Sequence, residues 1–180
     1  MNSARLAGVA LFVLAVASSL RAPAPAPRKP AAGPDPAAIL ALKGDFERGR
    51  ELVFESTLQC RACHRFGTGE EKLGPDLGEI GKKYDRAKLL ETLLDASKEI
   101  DPKYATTLVE TTSGAVHSGI LVETTADRIV LQDPEKTIPI PLASVRRRVT
   151  QQKSIMPDSL LQALTPQEAA DLLEFLRGLR

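Results

Sequence analysis

The spacing of apolar positions changes along this chain, and each change marks an element. After Arg5, the apolar run 6–16 ends in the small residues Ala17, Ser18 and Ser19. Alanine and proline then alternate through 21–36. Over 45–56, Phe46, Gly49, Leu52 and Val53 recur at helical spacing while Glu47, Arg48, Arg50 and Glu51 take the other faces. This predicts a helix leading straight into Leu58-Gln59-Cys60. Residues 66–81 are glycine-rich and contain Gly74-Pro75-Asp76-Leu77, a loop signature. A second helix is predicted over 85–96, with Leu89, Leu90, Leu93 and Leu94 as its apolar stripe and Asp85 as its cap.

Beyond Asp101-Pro102 the period shortens. Segments 106–112, 116–123, 128–132 and 137–142 are rich in Val, Ile and Thr. Ser113-Gly114 and Asp133-Pro134 offer turns between them. A small antiparallel β unit of about four strands is predicted there. A third helix opens at Thr165-Pro166-Gln167-Glu168, with Thr165 as N-cap, Pro166 in the first turn and Glu168 completing a capping box. Leu172, Leu173, Phe175, Leu176 and Leu179 form its buried stripe. The fold class expected is mainly α, about three main helices with the β unit inserted at about 105–149.

Composition narrows the class. The 180 residues are 43% hydrophobic and 26% charged with a net charge of +1, ordinary values for a globular protein. Trp is absent and aromatics are 4%, so neither charge nor stacking surface points to nucleic acid. A basic residue, a short apolar core and a small-residue exit read as a secretory signal over 1–22. The apolar run falls short of the roughly 20 residues that span a bilayer. The alternative is an uncleaved N-terminal anchor, giving a membrane tether. The Pro/Ala-rich stretch, taken as 23–43, reads as a linker, and the folded domain as 44–180.

Both cysteines of the chain lie in Cys60-Arg61-Ala62-Cys63-His64. Cys-x-x-Cys-His is the attachment signature of c-type haem. Cysteines three apart on a helical turn reach the two vinyl groups of one porphyrin. The next histidine then falls beneath the iron. A zinc site needs four ligands and would have to recruit the other histidine, His117, from a predicted strand. A thioredoxin-like pair would sit beside a βαβ pattern that this chain lacks. A disulfide this close would close a short strained loop and stabilise little. Export favours haem, whose covalent attachment in bacteria takes place outside the cytoplasm.

A six-coordinate iron needs a second axial ligand. Of the two methionines, Met1 leaves with a cleaved signal. Met156, in Ser154-Ile155-Met156-Pro157, lies on a loop before the last helix. His117 is the alternative, and a lone Met is more often core filler. In the Gly74–Leu77 loop, the Pro75 carbonyl can accept the free ring N–H of His64, and Leu77 can pack on the porphyrin edge. The metal ligands read from the sequence are therefore His64 and Met156.

With these residues in view, the chain resembles a class I cytochrome c. The likeness rests on the helix ending in CRACH, the GPDL loop, the leucine-rich middle helix and IMP before the C-terminal helix. More closely it resembles a bacterial haem-binding-domain family with a β insertion, through residues 94–104 and 119–124 and over roughly 46–179. The resemblance implies a cytochrome c fold, thioethers at Cys60 and Cys63, iron held by His64 and Met156, and a periplasmic electron carrier rather than an enzyme. It implies a partner on another polypeptide, an exported dehydrogenase or oxidase. A haem-based sensor using the β insertion is the alternative reading. A peroxidase would need an open iron and a second haem, and the chain has one attachment motif. Arg146-Arg147-Arg148 reads either as a solvated run or as a contact for propionates or an acidic partner.

Overall fold

Where Val, Ile and Thr crowd the sequence, the backbone is extended. The computed structural model describes residues 33–55, 58–70 and 73–180. The signal expected at 1–22 and most of the linker expected at 23–43 lie outside them. Five strands form one antiparallel sheet: β1 (Thr106–Thr111), β2 (Val116–Thr124), β3 (Arg128–Gln132), β4 (Thr137–Pro141) and β5 (Val145–Thr150). Their order, β4-β3-β2-β1-β5, makes the first four a meander and brings the fifth back beside the first.

Register sorts the side chains. Leu131 lies opposite Leu121 and Ile138, and Ile129 opposite Ile140. The period of two puts these residues on one face. There Val109, Ile129, Leu131 and Ile140 are at most 3% exposed and pack with Leu121, Ile138 and Val145. Irregular register near Val122 and between Glu110 and Thr111 adds twist, which helps the sheet curl over this core.

The helices build a separate core. They are α1 (Pro36–Ala41), α2 (Phe46–Glu55), α3 (Cys60–Cys63), α4 (Ile80–Lys83), α5 (Arg86–Leu94) and α6 (Pro166–Gly178). Asp85 caps α5 by accepting the Lys88 N–H at 2.8 Å. Thr165 and Glu168 form the capping box of α6. Helix α6 is the centre: Ala169, Ala170, Leu172 and Leu173 are at most 1% exposed. Gly49 lets α2 cross it closely, since a Cβ there would lie 2.0 Å from the Asp171 carbonyl oxygen. The two helices are also tied by Asp171, itself 2% exposed. Its carboxylate accepts from the Asp45 N–H, the Gln167 amide and the Arg48 guanidinium at 2.7–3.0 Å. Helix α1 falls within the end of the expected linker, and its Ile39 is fully buried in the helical core. Arg86 closes the C-terminal end of α1 by donating to the carbonyls of Ile39, Leu40 and Leu42. No described helix is long and apolar enough to cross a membrane.

This architecture corrects the expected fold class. A mainly α protein with a cytochrome c fold was expected; the described residues form a five-stranded antiparallel sheet and six short helices. Two physical reasons account for the difference. The helices are short: α2 ends at Glu55, and α3 starts afresh at Cys60 after a left-handed N-cap residue, Gln59 (φ 52). Gly67 and Gly69, also at positive φ, help keep the next stretch irregular. In addition, the β unit has one strand more than expected. Its arginine-rich segment 146–148, read as a charged run, is the body of β5 at the sheet edge, where Arg146 pairs with Glu110 at 3.2 Å. Charge on an edge strand discourages pairing with another chain.

Candidate functional site

Helix α3 is a single turn, closed by the His64 N–H donating to the Cys60 carbonyl at 2.8 Å. Cys60 and Cys63 are not joined in a disulfide and are half-buried, and burial pushes the Cys60 thiol up from its ordinary value. The turn is held to the helical core from both sides. Cys60 packs against that core. Phe66, two residues beyond the histidine, stacks on Phe54 and Phe175 with ring centroids 5.3 and 6.3 Å away. The Arg61 guanidinium lies over the Phe54 ring at 5.1 Å, so this spacer residue also grips α2.

The glycine–proline loop folds back over the motif. The Gly74 N–H donates to the Cys63 carbonyl and the Leu77 N–H to the Arg65 carbonyl, each at 2.8 Å. These two bonds place the Pro75 carbonyl 2.9 Å from His64 Nδ1. A carbonyl only accepts, so Nδ1 donates here, and in the neutral ring Nε2 then holds the lone pair. Gly74 lies flat against the ring: a Cβ there would sit 2.5 Å from Cε1, 2.8 Å from Nδ1 and 3.1 Å from Nε2. The imidazole is therefore fixed in tautomer and in plane, as a metal-binding histidine requires. Leu77 packs against the helical core, as Cys60 does.

Asp76 organises this loop, and sequence reading missed it. Its Oδ1 accepts the Gly67 and Gly78 N–H groups at 2.8 Å, and its Oδ2 accepts from Arg65 Nε at 3.0 Å. The Gly67 and Gly78 N–H groups, with Arg65, hold its carboxyl below the ordinary value. An aspartate in a glycine-rich loop, eleven residues after an arginine, was the available signal. Beside the loop, an open cleft of about 350 Å³ is lined by Arg65, Gly74, Pro75, Asp76, Asp101, Lys103 and Tyr104. Five polar or charged side chains line it beside Gly74 and Pro75, and none of Cys60, Cys63, His64 and Met156 is among its lining residues.

Met156 comes from a different element, the loop after β5. It is half-buried, and its N–H donates to Ser154 Oγ at 3.1 Å. His117 lies on β2 opposite Val109. No three His, Cys, Asp or Glu side chains among the described residues gather as a metal site, so His117 does not join Cys60, Cys63 and His64 in a zinc tetrad. No family model matches the chain, and no curated protein matches it. The likeness to haem proteins stays with the motif residues themselves.

Proposed function

We infer that the chain is an exported monohaem carrier of single electrons, with thioethers at Cys60 and Cys63 and axial ligands from His64 and Met156. The observation that supports this most is the His64 ring, bonded through Nδ1 to the Pro75 carbonyl at 2.9 Å over the bare face of Gly74. The donor set fits the group: two thiols on one turn, an imidazole whose Nδ1 is engaged by Pro75 so that Nε2 is the nitrogen to bind, and one thioether. When bound, the haem supplies an iron that takes up and gives back one electron.

The chain's own residues do the rest. Pro75 keeps the histidine proton at Nδ1 and strengthens donation from Nε2. Met156 would supply the second protein ligand to the iron, and a His/Met pair gives a higher reduction potential than two histidines. With both positions filled, no place is left for a substrate, which favours outer-sphere transfer over bond-making. The partner is another polypeptide, an exported dehydrogenase or oxidase. Segment 1–22 directs the chain to the periplasm, or tethers it to the membrane where uncleaved.

Visible spectra of the oxidised and reduced protein test this reading. Low-spin iron and a red iron–sulfur charge-transfer band are expected, with the band lost in Met156→Ala. High-spin resting iron unchanged by Met156→Ala would contradict the ligand assignment. Rapid carbon monoxide binding to the reduced wild type would favour the sensor reading.

A further inference from the structure

The loop that presents Met156 is fastened at two separate places. On the sheet side, the Thr106 N–H donates to the Lys153 carbonyl at 3.0 Å and the Gln151 N–H to the Thr106 carbonyl at 2.8 Å. The first and last strands thus stay closed on each other almost to the methionine. On the helical side, the Ser154 N–H donates to Ser97 Oγ at 3.1 Å, across 57 residues of sequence. Ser154 Oγ then accepts the Met156 N–H at 3.1 Å.

Ser97 is itself held. Its N–H donates to Asp95 Oδ1 at 3.1 Å just beyond α5. On its C-terminal side, Lys98 pairs with Glu91 at 2.6 Å and Glu99 with Lys88 at 2.7 Å, both partners lying on α5. A serine that accepts an N–H two residues on is an ordinary loop device. The Ser97 contact makes this one more than that. A relay of hydrogen bonds runs from α5 through two half-buried serine hydroxyls to the backbone of Met156.

We propose that Ser97 and Ser154 are positioning residues for Met156, fixing the backbone from which its thioether reaches the iron. The proposal rests on the reading of Met156 as an axial ligand. A methionine side chain has three rotatable bonds and little shape of its own, so where its backbone sits decides how firmly the sulfur stays in place. An external ligand must displace it, and binds more tightly in proportion to the fraction of molecules in which the sulfur has left. Removing one ordinary hydrogen bond should raise that fraction roughly fivefold.

The test uses full-length exported protein: wild type, Ser154→Ala, Ser154→Thr, Ser97→Ala and Met156→Ala. The readouts are the red charge-transfer band, imidazole affinity of the oxidised form and the urea midpoint. Wild type should show the band and Met156→Ala should lack it. Ser154→Ala should keep its haem yet bind imidazole roughly fivefold tighter, with Ser97→Ala moving the same way and Ser154→Thr returning to wild type. Should Ser154→Ala fail to accumulate, Ser97→Ala and Ser97→Thr decide in the same way. Wild-type imidazole affinity in the alanine variants, with the band present in wild type and lost in Met156→Ala, overturns the positioning role alone. A wild type without the band overturns the ligand assignment as well.

Discussion

Replacing Gly74 by alanine tests the grip on His64 with a single methyl group. Its Cβ would meet three ring atoms at 2.5, 2.8 and 3.1 Å, where ordinary contact begins at 3.4 Å. The ring must retreat by about 1 Å, because its own side-chain torsions yield more readily than the loop backbone. Retreat stretches the Nδ1 bond to Pro75, now 2.9 Å. Losing that bond costs about 0.5–1.5 kcal/mol, and an off-rotamer ring about as much again. Against this, alanine restricts the unfolded chain and stabilises by about 0.4–1 kcal/mol. The net expectation is a loss of about 1–2 kcal/mol, which lowers the urea midpoint by about 0.5–1 M for a typical slope. Circular dichroism of the exported protein in urea measures it. In a His64→Ala background the same change should be neutral or stabilising. An equal loss in both backgrounds would refute the reasoning, since the cost would then not come from the ring.

Other consequences follow from the helical core. Asp171→Asn should destabilise by about 2–3 kcal/mol, because every neighbour of the carboxylate is a donor and the new amide NH₂ must oppose one of them. Burial pushes the Asp171 carboxyl up, but Arg48, Gln167 and the Asp45 N–H outweigh it and leave it below its ordinary value. A lowered folded-state value means that the stabilisation is complete above about pH 4 and is lost as pH falls through that lowered value. The acid limb of a stability profile should therefore be steeper in wild type than in Asp171→Asn. Gly49→Ala should push α2 off α6, because the added carbon would lie 2.0 Å from a backbone oxygen that cannot move cheaply. Thermal unfolding should show a loss of about 1–3 kcal/mol.

What could be read from the sequence depended on how local the cause was. Asp85 and the Thr165–Glu168 box were legible because a cap involves only residues a few apart. The His64–Pro75 contact was legible for a related reason: a short loop after the motif can hardly fold without returning to it. The mainly α fold was misread where the signal was not local. Three arginines hide the alternation of β5, whose strand character comes from pairing with β1 some forty residues earlier. The turn at CRACH starts after a left-handed residue, Gln59, and no glycine announces that conformation in the sequence. Ser97 went unread for the same reason, since its partner is 57 residues away.

The proposed function requires Cys60 and Cys63 to hold one haem covalently. Intact mass under denaturing conditions tests it most directly, on protein exported by a bacterium that carries out covalent haem attachment. Wild type should run as the polypeptide plus one haem, and the Cys60→Ala, Cys63→Ala double variant as the bare polypeptide. Wild-type protein running at the mass of the bare chain would contradict it.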